Sequence, residues 1–260
     1  MHALLAGLLV AACAASARAG ITDADRLNAQ RDAYLERPRG NAADPPFLLQ
    51  SSEESDLVSG EVYARAEYAL GELAESLSDP RQWCDLLLLH PNTARCAVDG
   101  EVDEPKLELE VTRRIDSPET HHLAFSLRAA ASTPAYFGAD LAAEHGPMAT
   151  SDYRIRVEAV PVDDKSLFLH LRYSYRVAWS TRLALKMWLA TLGRDCVGFT
   201  PAGVSRRGEV EYIRGMRGSA ERNVMRYFLA IANAAWVSGW KTWRAIRASW
   251  RTRKSRRISK

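Results

Sequence analysis

Apolar and polar residues alternate in four long stretches of this chain. At 105–113, Leu107, Leu109 and Val111 oppose Lys106, Glu108, Glu110 and Thr112; at 121–131, Leu123, Phe125, Leu127 and Ala129 share a face. At 152–160, Tyr153, Ile155, Val157 and Ala159 alternate with Asp152, Arg154, Arg156 and Glu158. The cleanest case is 167–177, where Leu167, Leu169, Leu171, Tyr173, Tyr175 and Val177 oppose Phe168, His170, Arg172, Ser174 and Arg176. A period of two predicts strands, and alternation this regular predicts an antiparallel sheet with one apolar and one solvated face. Residues 161–165, with Asp163-Asp164, form the turn between the last two strands; Asp suits such a turn for backbone reasons, with no cation required. On this reading His170 and Arg172 lie on the solvated face.

Helical spacing takes over elsewhere. Thr22 is a capping residue for a short helix over 22–36, and Pro38, Gly40, Pro45 and Pro46 make 37–46 a linker. Phe47-Leu-Leu is a short apolar stretch before a Ser/Glu turn at 51–56. A strand at 60–67 leads to Leu70, Leu73, Ala74 and Leu77 on a helix ended by Asp79-Pro80. A second short helix or turn over 83–89 stops at Pro91. Beyond the four strands come a helix at 180–192, a strand pair around 196–200 and 208–214, and a last helix over 219–237. That helix carries Val224, Met225, Phe228, Ile231 and Trp236 across more than one stripe, which predicts packing against a broad apolar surface. The segment 133–151, rich in Gly, Pro and apolar residues, reads as a lid or a long hairpin connection. First strand, helical turn, β-meander and terminal helix together give an α+β fold class.

The first 19 residues change where the protein is expected. An apolar run too short to span a bilayer ends in Ala17-Arg18-Ala19, with small residues at −3 and −1 of a cleavage site before Gly20. This reads as a signal peptide over 1–19. Val10-Ala11-Ala12-Cys13 also resembles a lipobox, in which case Cys13 would be acylated. Either reading places the mature chain in the periplasm or cell envelope. No later segment has the ~18 continuous apolar residues of a membrane span.

Charge is distributed unevenly. Residues 240–260 hold nine Lys or Arg and no acid, while 25 bases stand against 32 acids in 20–239, a net of −7. In the tail, Trp240, Trp243 and Trp250 interleave with these bases, the composition an anionic membrane surface binds. Nucleic acid reads the same composition, but export argues against it; a solvated extension is the plain alternative. In an oxidising compartment Cys84 and Cys96 are expected to pair, the alternative being two buried thiols, and Cys196 is left over. No Cys/His spacing suggests a metal. His121 and His122, as neighbours on a strand, point to opposite faces. No catalytic motif is present, and no cofactor is expected.

Particular stretches carry a family resemblance: Gly60-Glu-Val-Tyr-Ala-Arg-Ala, Ser78-Asp-Pro-Arg-Gln-Trp83, Ser151-Asp-Tyr-Arg-Ile-Arg-Val, Leu169-His-Leu-Arg-Tyr-Ser-Tyr and Ala220-Glu-Arg-Asn-Val-Met-Arg-Tyr-Phe. With the element order, they resemble the START-like superfamily (SRPBCC, helix-grip proteins), here as an exported bacterial member. The resemblance spans roughly 60–237, after an N-terminal helix and linker (20–59) and before the tail (238–260). It implies a curved antiparallel sheet wrapped around a long C-terminal helix, with an apolar cavity between them. The stripe Tyr153, Ile155, Val157, Leu169, Leu171, Tyr173 and Tyr175, faced by Val224, Phe228 and Ile231, is then either plain core or the wall of a ligand site. The function expected is non-catalytic binding or transfer of a lipid or other apolar molecule. The alternatives are a hydrolase or cyclase on the same fold, or an envelope interaction protein with a filled core. Export, the cysteine pair and the basic tail depart from the usual pattern of the family.

Overall fold

The computed structural model describes residues 22–37, 46–101, 104–112, 119–191 and 193–234. The expected signal peptide at 1–19, with Cys13, and the basic tail at 238–260 lie outside them.

Helix α1 (Asp23–Glu36) starts in a capping box: Thr22 Oγ1 accepts from the Asp25 amide and Asp25 in turn accepts from the Thr22 amide. Then follow β1 (Phe47–Glu54), β2 (Leu57–Ala66), α2 (Leu70–Ser78) and α3 (Pro80–Leu88). Asp79 separates the two helices and caps the second, accepting from the Arg81 amide, with Pro80 pre-set for the first helical turn. Buried Trp83 donates its indole N–H to the Leu77 carbonyl at 2.8 Å, which fixes the bend between them.

The chain then runs as a meander: β3 (Thr93–Glu101), β4 (Glu104–Thr112), β5 (Thr120–Thr133), β6 (Tyr136–Gly146), β7 (Thr150–Asp163) and β8 (Ser166–Val177). Beyond it come α4 (Trp179–Ala190), the hairpin β9 (Pro201–Val204) and β10 (Val210–Tyr212), and α5 (Gly215–Ala234). The eight-stranded sheet has the order β1-β2-β8-β7-β6-β5-β4-β3 and every pairing is antiparallel. β8 closes back onto β2, so the first and last strands of the meander unit are neighbours, while α2 and α3 carry the chain across to β3.

One face of the sheet holds α5. Gly60 allows the close approach: a Cβ there would lie 2.9 Å from the Ala220 carbonyl oxygen and 3.0 Å from Val224 Cγ1. Met216, Ala220, Val224 and Ile231 give α5 its buried stripe. A disulfide between Cys84 and Cys96 joins α3 to β3 at the far edge, and Cys196 is a half-buried free thiol.

Three sequence expectations give way and one strand goes unread. Residues 133–151 are neither lid nor connection: 136–146 form β6, a strand paired on both sides. Its concave positions Phe137, Ala139, Leu141 and Ala143 do alternate, but small residues on both faces blur the contrast. The Ser/Glu stretch at 51–54 is the end of β1, not a turn, because each residue pairs with β2. Residues 93–101, unassigned from sequence, are the edge strand β3. His170 is not solvated; it is buried, for the reason given next.

Candidate functional site

The register of β2, β7 and β8 sorts their side chains into two sets. Val62 pairs with Leu171 and Leu171 with Val157; Gly60 pairs with Tyr173 and Tyr173 with Ile155. These positions face α5. Glu61, Tyr63, Glu158 and His170, one residue out of phase, face the other way.

On the α5 side, Tyr153, Ile155, Val157, Leu169, Leu171, Tyr173 and Tyr175 are all buried, as are Val224 and Ile231. Phe228 is half-buried and turns toward Phe47 of β1, 6.1 Å between ring centroids. The three tyrosines join Tyr227 of α5 in an aromatic cluster: Tyr153 stacks on Tyr175 at 5.5 Å, and Tyr173 lies 5.6 Å from both Tyr175 and Tyr227. Burial raises the hydroxyl pKa of all four, so they stay neutral donors. Tyr153 meets Thr150 Oγ1 at 2.7 Å, and Asn223 and Ser219 of α5 lie near the Tyr173 and Tyr175 hydroxyls. In the same core the Tyr68 hydroxyl is buried with no hydrogen-bond partner among the described residues.

A polar group borders this cluster. His90 stacks on Tyr227 at 5.4 Å. Its Nδ1 accepts from the Asn92 amide at 3.3 Å, which leaves Nε2 to carry the hydrogen and donate to Asn223 Oδ1, also at 3.3 Å. Arg226 donates to the same oxygen at 3.0 Å. Burial first, and the Arg226 charge second, push the His90 pKa down to about 3, so the imidazole is neutral. Sequence reasoning missed Tyr68, His90, Asn223, Arg226 and Tyr227. Asn223 and Tyr227 stand four apart on one helix, a signal that would have pointed at the last two turns before Phe228.

The other face is covered by α1, whose Leu27 is fully buried against Tyr63, Tyr136, Val160 and Phe168. Beneath it lies an ionic cluster. His170 Nδ1 is 3.0 Å from Glu158 Oε2 and Nε2 is 3.1 Å from Glu61 Oε2, so both ring nitrogens donate to carboxylates. Tyr63 stacks on the imidazole at 4.4 Å and donates to Glu61; Tyr136 donates to Glu158 at 2.8 Å. Arg26 of α1 and Arg156 reach Glu158 Oε1 at 2.6 and 3.1 Å, Arg156 also pairs with Asp23 and Asp140, and Arg172 pairs with Glu61. Burial alone would raise the Glu158 carboxyl, but hydrogen bonds from His170, Arg156 and Tyr136 outweigh it and hold the pKa at about 2. Glu61 is likewise at about 2, burial being outweighed by His170 and Tyr63. For His170 burial works downward and the two carboxylates upward, with a net rise. Four carboxylates thus meet three guanidiniums and one imidazolium, a balanced set that pins α1 to the sheet.

A groove of about 390 Å3 runs along β1 beside the start of α5. Its polar groups are joined to one another: Glu221 accepts from Ser51 Oγ and from the amides of Phe199 and Thr200, which anchors the segment before β9. Among the described residues no cluster of three or more His, Cys, Asp or Glu could hold a metal ion.

No protein-family model and no curated protein matches the chain. Solved structures do resemble it. A conserved protein from Geobacillus kaustophilus is 15% identical over 69% of this chain and 96% of its own, with a TM-score of 0.43. The Zhui aromatase/cyclase from Streptomyces sp. R1128 is 12% identical over 69% and 91%, TM-score 0.38. A START superfamily protein from Mycobacterium smegmatis is 14% identical over 54% and 93%, TM-score 0.37. Likenesses of this degree carry no argument of their own; strand order and helix placement do. Two short helices between the first and second strands of a seven-strand antiparallel unit, closed by β2 against β8 and gripping a long C-terminal helix, make this an α+β fold of helix-grip form.

Proposed function

We propose that the chain binds an apolar small molecule, a lipid or similar, between the sheet and α5, without catalysis. The observation that carries this reading is the placement of polar groups inside an apolar grip. Tyrosines 153, 173, 175 and 227 and the unpartnered Tyr68 hydroxyl offer neutral hydrogen-bond donors where an ordinary core would use Leu or Phe. Affinity would come from removing the ligand's apolar surface from water, at ~25 cal/mol per Å2, and selectivity from the tyrosine end.

Catalysis of the hydrolase or cyclase kind would need an acid–base pair facing the ligand. His170 and its carboxylates lie on the opposite face, and His90 already uses its lone pair on Asn92. Binding is therefore favoured over catalysis. The reading also takes residues 1–19 as a signal peptide, the mature chain as a periplasmic or envelope protein, and 238–260 as a segment turned to an anionic membrane surface. The Cys84–Cys96 disulfide fits an oxidising compartment. Native mass spectrometry of the purified mature chain is expected to show a copurifying lipid, and a fluorescent fatty acid to bind and be displaced by it. Absence of both would end the proposal.

A further inference from the structure

Helix α4 carries a second apolar stripe on its outward side. A helix on a globular surface normally buries its apolar stripe. Here Trp179, Leu183 and Met187, at i, i+4 and i+8, are 81%, 58% and 64% exposed. Ser180, Ala184 and Ala190 complete the same outward side, and all are exposed. The side turned to the protein holds buried Leu189 and half-buried Leu185, and Arg182 and Lys186 flank it, gripping Glu53 of β1 at 2.6 and 2.9 Å. The helix is thus held by two leucines and two ion pairs and still displays Trp179, Leu183 and Met187 to solvent, where a patch of this kind marks an interaction surface.

We infer that α4 docks the protein onto the surface of an anionic lipid bilayer. Charge selects the occupant. The helix contains no Asp or Glu, and none occurs in the sequence between Asp164 and Asp195, so the apolar stripe itself carries no group that repels anionic headgroups. Two cations share the single carboxylate of Glu53, and Lys186 is half exposed at the edge of the stripe. Trp179, at the start of the stripe, supplies an amphipathic ring that favours the headgroup level. This surface is separate from the grip and from residues 238–260, and it stands whether or not the grip holds a ligand.

The test is flotation of the mature chain, tail intact, with vesicles of phosphatidylethanolamine and phosphatidylglycerol, and with phosphatidylcholine vesicles as the neutral arm. Leu183→Asp/Met187→Asp is expected to lower partitioning onto the anionic vesicles by about tenfold. Both side chains are exposed, so the variant's melting temperature should match the parent's; Trp179→Ser serves as a second, milder variant with a smaller loss. Binding unchanged in both variants would overturn the inference, leaving the tail as the sole contact. No binding by the parent chain would overturn it too. So would a dimer, seen by light scattering, that the double substitution dissolves: the stripe would then face a second copy.

Discussion

Glu158 and His170 face each other across the β7–β8 pair, Oε2 to Nδ1 at 3.0 Å, on the side of the sheet away from α5. Since Nε2 meets Glu61 as well, both ring nitrogens must carry hydrogen, and the ring is an imidazolium held between two carboxylates. α1 closes over this set and completes it with Arg26. The cluster is therefore a fastening for the N-terminal helix, and its chemistry sets how the fold responds to pH.

His170 is raised above its ordinary 6.5, so its contribution to stability is complete below that value and is lost as pH rises through the raised pKa. Glu158 and Glu61 are lowered from 4.5 to about 2, so theirs is complete above 4.5 and is lost as pH falls toward 2. Melting temperature is expected to be highest between these limits and to decline on both sides. His170→Gln should lower the plateau and remove most of the decline above 6.5. An undiminished alkaline decline in that variant would assign the transition to another group.

Removing the carboxylate at the centre should be costlier. Glu158→Ala leaves His170, Arg26 and Arg156 facing an apolar gap, and loss of one partner of a buried pair costs about 3 kcal/mol or more. Urea unfolding measures the loss. Hydrogen exchange should locate it first in Asp23–Glu36, since Arg26 is the ionic link from α1 to Glu158; protection of α1 equal to the parent's would contradict the fastening.

On the opposite face, Gly60→Ala tests the closeness of α5 to β2. The added methyl meets the Ala220 carbonyl, a backbone atom that cannot rotate away, so α5 must shift. A cost of about 1–3 kcal/mol is expected in denaturant unfolding, together with weaker retention of any copurifying lipid. A neutral effect on both would mean that the contact is looser than the structure has it.

Cys84→Ser/Cys96→Ser opens a loop with a sequence separation of 12. Chain entropy alone predicts a loss of about 3 kcal/mol, matched by the parent under reducing conditions and absent from the variant when reductant is added. A parent insensitive to reductant would show that the bridge contributes little.

Much of the fold is legible without coordinates. Period-two alternation at 105–113, 121–131, 152–160 and 167–177 is enough to define four strands and to separate Leu169, Leu171 and Tyr173 from His170 and Arg172, because adjacent side chains on a strand must point to opposite faces. Thr22, Asp79-Pro80 and the spacing of Val224 and Ile231 mark helix limits and a helix face through local backbone and side-chain chemistry. The α+β class, the long terminal helix and the Cys84–Cys96 pairing follow from such local rules and from composition.

What alternation cannot say is what covers each face. His170 reads as solvated because its neighbours are Arg172 and Ser174; the pairing of β2 and β7 with β8 brings Glu61, Tyr63 and Glu158 to it, and α1, more than 130 residues upstream, closes over them with Arg26. Likewise β6 is hidden by its small residues until strands on both sides supply its hydrogen bonds, and Tyr227, His90 and Asn223 meet only when α5 crosses the sheet. α4 shows the same limit: its apolar positions predict a helix but not which of them are covered, and the structure buries Leu189 while Leu183 and Met187 face outward beside the ion pairs to Glu53. Local pattern determined which residues share a face; long-range contacts, made of ion pairs and close packing between distant segments, decided which faces meet.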